Sequence, residues 1–233
     1  MIVLFANQKG GVGKTSILWN LIVEFSKEIK SNIKVIDIDN ERKSFQMLSN
    51  VREKNQLSCN YKLVDNISTK TDLIDFYNNY KAEDLVFIDS GGIDNDINAM
   101  SVYLSDFLIC PTSEKLADIK VTKQFLATVD KISEKANQKA NTYDKKTVHI
   151  LFNNIESSKK NIEHIKSFFE SLQSSYNYIN IVIIQNWIVN TVGFDNAEAE
   201  GKSVVELNTN SITNPAKNSF LRVRDEIRKL LNL

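Results

Sequence analysis

The chain has 233 residues, enough to bury a substantial core, and reads as one α/β domain over 1–233 rather than two. Its 29 basic and 29 acidic residues cancel, so no global field marks a nucleic-acid binder and any such contact needs a local patch. The two cysteines, Cys59 and Cys110, are far apart without CxxC spacing, which excludes a disulfide framework or cysteine zinc site, and no apolar run nears the ~18 residues of a membrane span.

Along the chain, apolar runs of strand length alternate with longer helical patterns. Met1 leads straight into a strand over 2–6 without the charged, apolar and small-residue order of a signal peptide, so a cytoplasmic location is expected. A helix follows over 14–29, where Ile17, Leu18, Leu21, Ile22 and Phe25 recur at helical spacing. Residues 33–37 and 61–64 read as strands, the second followed by a polar helix through Leu73, Ile74 and Tyr77. Further strands are expected at 85–89, 106–110, 148–153 and 179–184, with helices at 94–104, 116–140, 158–173 and 214–231. The last helix carries Phe220, Val223, Ile227, Leu230 and Leu231 in one stripe. Cys110 ends an apolar strand as a small core residue, while Pro111 and Pro215 stand at a strand end and a helix start, where proline costs least. Unbroken apolar strands between helices indicate a parallel sheet covered on both faces. The fold class is therefore α/β, a single doubly wound sheet with ligands expected at the carboxyl ends of the strands.

Five of the seven glycines fall in two short stretches. One is Lys9-Gly10-Gly11-Val12-Gly13-Lys14-Thr15-Ser16, between the first strand and the first helix; the other is Asp89-Ser90-Gly91-Gly92, after an apolar strand. Glycine permits close backbone approach, and a strand, glycine-rich turn and helix N-terminus together aim N–H groups and a dipole at phosphate. Lys14 then reaches the β/γ-phosphates, the Thr15 hydroxyl suits Mg²⁺, and the residues from Lys9 to Ser16 form a nucleoside-triphosphate cradle. Asp89, at the end of its strand, stands as the second Mg²⁺ group, directly or through water. Alternation puts Asp37 and Asp39 on one face at the end of the second strand, able to flank one metal-and-water site.

The loop departs from G-x-x-x-x-G-K-[ST], because Gln8 stands where the first glycine belongs. It reads K-G-G-x-x-K-[ST], with an additional lysine at Lys9. This deviant Walker A box resembles that of the ParA/MinD group of P-loop ATPases. The likeness runs almost the full length and is nearest the small plasmid-partition (ParF-type) members. Leu104-Ser105-Asp106-Phe107-Leu108-Ile109-Cys110-Pro111-Thr112 and Leu116-Ala117-Asp118 are similar to two of their segments. In such proteins the second Asp of D-x-D positions the attacking water, which implies Asp39 here, and implies Lys9, Lys14 and Asp39 as the catalytic set. This chain continues Asn40-Glu41-Arg42 where relatives have Asp-Pro-Gln, one residue longer before Ser44. An Asn at the end of the sixth strand reads the adenine edge in the group, which implies Asn153; a turn or capping role suits that residue equally.

The resemblance implies a cycle. Two subunits close face to face on Mg²⁺-ATP, each Lys9 reaching the partner's phosphates, and the dimer coats DNA without sequence preference. A small centromere-binding protein of the ParB/ParG kind then stimulates hydrolysis. Such a protein is nucleoid-associated, not membrane-bound. The DNA surface is expected on the last helix, where Arg222, Arg224, Arg228 and Lys229 flank the apolar stripe, with Lys159, Lys160 and Lys166 the next cluster. No helix-turn-helix precedes the P-loop, which sets aside the long operator-binding type. A VirC-type ATPase of DNA-transfer systems shares these motifs and is the alternative. A MinD-like membrane ATPase needs a terminal amphipathic helix with a basic face, which Asp225 and Glu226 interrupt. A nitrogenase-reductase-like protein needs paired interface cysteines, and a nucleotide-dependent scaffold would keep the loop without turnover.

Overall fold

Among the described residues seven strands form one all-parallel sheet: β1 (Ile2–Phe5), β2 (Ile33–Asp37), β3 (Lys62–Val64), β4 (Leu85–Asp89), β5 (Phe107–Thr112), β6 (Lys146–Phe152) and β7 (Ile179–Ile183). Their spatial order is β3-β2-β4-β1-β5-β6-β7. The computed structural model describes residues 1–29, 32–39, 42–91, 95–156, 158–210 and 213–233. Among them run α1 (Lys14–Glu28), α2 (Ser44–Lys54), α3 (Lys70–Asn79), α4 (Asp96–Leu104), α5 (Leu116–Ala140), α6 (Lys159–Ser171), α7 (Gly193–Ala199) and α8 (Thr213–Leu230).

The period of two along each strand sorts the core into two layers. Ile2 and Leu4 of β1 enter the layer that holds Leu73 of α3, Val102 of α4, Phe125 of α5 and Phe169 of α6. Val3 and Phe5 enter the opposite layer, with Phe25 of α1, Phe45 of α2, Phe194 of α7 and Phe220 of α8. Each fully enclosed phenylalanine contributes ~1.5–3 kcal/mol of transfer free energy. Both faces are covered, which is why the strands are apolar without interruption. After β1 the chain builds β2, β3 and β4 on one side, then crosses to build β5 on the other. That reversal puts a crevice at the carboxyl ends of β1 and β5, where the loop to α1 begins.

The expected strands and long helices are present within a few residues of their expected bounds. The start expected for the helix at 94 lies outside the described residues, which include α4 from Asp96. Two elements escaped the periodicity. In α2 only Phe45 and Arg52 are buried, and α7 is seven residues long, so neither shows an apolar stripe of recognisable length. Pro111 does not end its strand: β5 runs through it to Thr112. The missing N–H is tolerated because pairing with β1 stops at Ile109, leaving only β6 alongside.

The β7 edge is blocked by one side chain. Gln173 donates to the Ile179 carbonyl at 2.9 Å and accepts from the Ile181 N–H at 2.7 Å, occupying edge groups that another strand would use.

A buried polar cluster ties α2 to the segment after α7. Arg52, 3% exposed, donates to the Gly201 carbonyl at 2.9 Å, to Ser58, and through both terminal nitrogens to Glu206 at 2.8 and 3.0 Å. The contact requires glycine: Gly201 has φ 66°, and an added Cβ would fall 2.5 Å from the Arg52 backbone nitrogen. Gly201→Ala is expected to cost ~2 kcal/mol or more from left-handed strain and displacement of α2, measured as a lower urea midpoint at unchanged m-value. An unchanged midpoint would contradict the packing.

Candidate functional site

The loop from β1 to α1 is held by its own polar residues. The Ala6 N–H donates to Ile109, and the Asn7 amide donates to Pro111 O and Thr122 Oγ1 at 2.8 and 2.9 Å while accepting from the Lys9 N–H at 3.0 Å. Gly11 and Gly13 adopt φ 77° and 91°, so the chain turns into α1 through conformations that a side chain disfavours. Gly13 caps α1 with no side-chain bond, and no acidic residue lies in the first turn. The first helical amides have no intrahelical acceptor and the dipole is uncompensated, the arrangement that favours an anion.

These amides open on a cavity of about 530 Å³. Gly10, Gly11, Gly13, Lys14, Thr15 and Ser16 form its floor. Asp39, Arg42 and the start of α2 form one wall; Asn153, Asn154 and the start of α7 form the other. Thr15 Oγ1 donates to Asp89 Oδ2 at 2.6 Å, while Asp89 Oδ1 is buried with no hydrogen-bond partner. Burial pushes the Asp89 carboxyl up to about 7; the Thr15 bond opposes the rise, Asp37 adds to it, Lys14 opposes it and Asp39 adds again. Burial lowers the Lys14 amine against the pull of Asp89 and Asp39, and its Nζ donates to the Lys9 carbonyl at 3.3 Å. Two oxygen groups, Thr15 and Asp89, thus face a lysine across an anion-favouring helix end. Among the described residues no cluster of three or more His, Cys, Asp or Glu could hold a metal by itself.

Lys9 stands apart from this cluster. Its side chain is 43% exposed and its Nζ lies 3.9 Å from the Asp118 carboxylate, which Ser113 Oγ also contacts at 2.6 Å. Asp39 lies against the other glycine stretch: a Cβ on Gly91 would sit 3.4 Å from its carboxyl carbon. Gly92, Asn40 and Glu41 lie outside the described residues.

Three expectations need correction. Asp37 does not share a site with Asp39: its carboxylate accepts from the Phe45 and Gln46 N–H groups at 3.1 and 3.4 Å and from Asp39 N at 3.1 Å, so it serves the N-terminus of α2. Arg224 and Arg228 are not free cations on α8. Arg224 is 16% exposed at its side chain, bonds Asp225 at 2.7 Å and pairs with Glu28 of α1 at 3.6 Å; Arg228 pairs with Glu28 as well. Of the reserve cluster, Lys166 is buried between Glu163 and Gln185. Arg222, Lys229, Lys159 and Lys160 are exposed.

Asn153 has a contact that sequence did not disclose. Its amide donates to the Val12 carbonyl at 2.8 Å and fills the space a Gly13 Cβ would need, 2.1 Å from its Nδ2. Arg42 was also missed: its guanidinium lies 3.8 Å from where a Gly10 Cβ would stand. The only local signal was an arginine in the segment that departs from the Asp-Pro-Gln pattern. Glu198 of α7 lines the cavity with one buried oxygen unpartnered, and burial raises its carboxyl while Ser16 opposes the rise. Nothing in its local sequence marks it.

The profile of the CobQ/CobB/MinD/ParA nucleotide-binding domain (CbiA) matches residues 3–230. No curated protein sequence matches. Among solved structures, the fold is similar to MinD cell division protein of Aquifex aeolicus, with TM-score 0.66 at 14% identity over 100% of this chain and 97% of that one. It is similar to a Borrelia burgdorferi protein described as a plasmid partition protein and bound to AMPPNP (TM-score 0.61, 16% identity, 98% of both chains). It is also similar to the septum site-determining protein MinD of Pyrococcus horikoshii complexed with Mg-ADP (TM-score 0.65, 14% identity, 99% and 96%). Among the described residues no helix is long and apolar enough to cross a membrane.

The buried Asp89 carboxyl makes a pH signature. Its folded value lies above the ordinary ~3.9, so the folded state binds more protons. The associated stability is present below about pH 4 and lost as pH rises through about 7. In nucleotide-free protein, Asp89→Asn should flatten the fall in Tm between about pH 5 and 8, with ~2–4 °C regained per kcal/mol removed. Calorimetry at several pH values checks this, and identical pH dependence in the variant would contradict it.

Proposed function

The chain belongs to the CobQ/CobB/MinD/ParA nucleotide-binding family, and from that premise we propose that it is a DNA-segregation ATPase of the partition type. It binds Mg²⁺-ATP at the β1–α1 loop, closes into a nucleotide-sandwich homodimer, binds DNA without sequence preference, and hydrolyses ATP when a small centromere-binding partner of the ParB/ParG kind engages it. The observation that carries this reading is the division of labour between two lysines. Lys14 is half-buried, lies close to Asp89 and points back to the loop at the Lys9 carbonyl, whereas the Lys9 side chain is 43% exposed at the rim on Asp118. An amine turned into the loop suits the nucleotide of its own subunit, and a rim amine on a weak contact suits a second subunit's phosphates.

The residues present fit the two ligands. Thr15 and Asp89 offer hydroxyl and carboxylate oxygens, the donors that Mg²⁺ takes alongside phosphate and water, and the unpartnered Asp89 oxygen is one such donor. The amides from Gly10 to Ser16 would cradle the phosphates, with Lys14 offsetting their charge. The metal, when bound, neutralises charge on the phosphate chain. Asp39, resting on Gly91, is the water-orienting carboxylate, and Asn153 stands on the base side while bracing Val12. Apart from the exposed Leu230, the apolar stripe of α8 is spent on the core, with Phe220, Val223 and Ile227 each 0% exposed, which disfavours a membrane-surface role for this helix.

Two expected outcomes test the assignments. Lys14→Ala should abolish ATP binding, while Lys9→Ala should bind ATP yet remain monomeric by light scattering; normal ATP-dependent dimerisation of Lys9→Ala would overturn the role given to Lys9. Asp39→Ala should bind ATP and dimerise but turn over ~10²-fold more slowly, a loss of ~2.7 kcal/mol in transition-state stabilisation. Parent-like turnover would remove Asp39 from the chemistry.

A further inference from the structure

The neutral whole conceals a run of solvent-exposed lysines on α5. The 25-residue α5 turns Phe125, Leu126 and Val129 to the core. Its solvent side carries Lys120, Lys123, Lys131 and Lys135, with Lys139 on the flank, all exposed. None forms an ion pair with a described residue. Lys131, Lys135 and Lys139 repeat at four-residue spacing, and Lys120 to Lys139 spans about 28 Å along the axis. The carboxylates of the helix do not cancel this charge. Asp118 and Asp130 are taken by Ser113 and by the Tyr178 N–H, and Glu134 alone shares the outer face, contacted by Gln138.

We propose that this lysine stripe on α5 is the surface that holds the phosphate backbone of duplex DNA, resting on the partition reading above and moving the DNA contact away from α8. The two cationic groups contrast in their neighbours. Arg224 and Arg228 remain charged but are paired with Glu24, Glu28 and Asp225, so phosphate would have to compete with those carboxylates for them. The α5 lysines keep their charge in solvent, and releasing counterions from phosphate then drives binding at no desolvation cost to a competing pair. The stripe's composition selects among anionic partners. Flexible lysines position a backbone without reading bases, as sequence-independent binding requires. Beyond Leu116 in the first turn, the outer face bears no exposed large apolar side chain, so it lacks both the wedge that a lipid surface needs and the aromatic anchors of a protein interface.

The test is ATP-dependent binding to unrelated duplexes over a salt series, for the parent, for Lys120→Gln/Lys131→Gln/Lys135→Gln, and for Arg222→Gln/Lys229→Gln on α8. Glutamine keeps helix propensity, and unchanged ATP binding and circular dichroism check the fold. The α5 variant should bind ~10-fold or more weakly at about 50 mM salt, with a log–log slope shallower by about 2–3 for each subunit whose stripe meets the duplex, close to 0.9 per lost phosphate contact. The α8 variant should track the parent. If the parent binds duplexes and the α5 variant matches it in affinity and slope, the inference falls and the partition reading stands. If the parent binds ATP but no duplex in any nucleotide state, the partition reading itself falls. Parent binding to anionic phosphatidylglycerol vesicles that the α5 changes abolish, with duplex binding intact, would assign the stripe to lipid and overturn the proposal.

Discussion

A carboxylate enclosed at the end of a central strand is expensive unless something pairs with it. Asp89 is 1% exposed, one oxygen has no partner and the other accepts a single short bond from Thr15. That bond joins β4 to the first turn of α1, the two elements bordering the phosphate cradle. The remainder of the cavity is built around it. Lys14 is half-buried close enough to feel Asp89, Gly91 follows two residues on to support Asp39, and the loop glycines bring the amides of α1 to the same crevice. In the proposed function this cost is the point: a site held in unsatisfied form gains most when Mg²⁺-nucleotide arrives.

The walls are held by a second polar system on the α1 face of the sheet. Asn20 accepts from the Val204 N–H at 2.6 Å, Glu24 accepts from Ser203 Oγ at 2.6 Å, and Arg52 joins Gly201 and Glu206 to α2. The helix after Asp39 and the segment after α7 are thereby fixed to one another and to α1. Arg224 and Arg228 extend the same system from α8 to Glu24 and Glu28. Their charge serves to seat the last helix.

What could be read in the residues follows distance along the chain. The strands, the long helices, the glycine cradle and its lysines are local patterns, and each was legible. The position of Asp89 at the end of β4 was legible too, because a short apolar run ending in Asp-Ser-Gly is contiguous. The partners of Arg228 and Arg52 were not, since Glu28 and Glu206 lie 200 and 154 residues away. Asp37 illustrates a subtler failure. Alternation was expected to put it on one face with Asp39, but β2 ends at Asp37 and the side chain turns to the amides of α2, a helix too weakly patterned to be anticipated. On α5 the charges were all visible in sequence, yet only the packed structure distinguishes lysines left in solvent from arginines held in ion pairs.

Calorimetric titration of the parent with Mg²⁺-ATP near pH 7, in buffers of different ionisation enthalpy, tests the central place of Asp89 most directly. Burial holds the Asp89 carboxyl well above the ordinary carboxylate range, so the nucleotide-free protein carries a proton there that ordinary carboxylates have lost. Binding that demands its charged form should release more protons from the parent than from Asp89→Asn. Equal proton release by the two proteins would contradict the account.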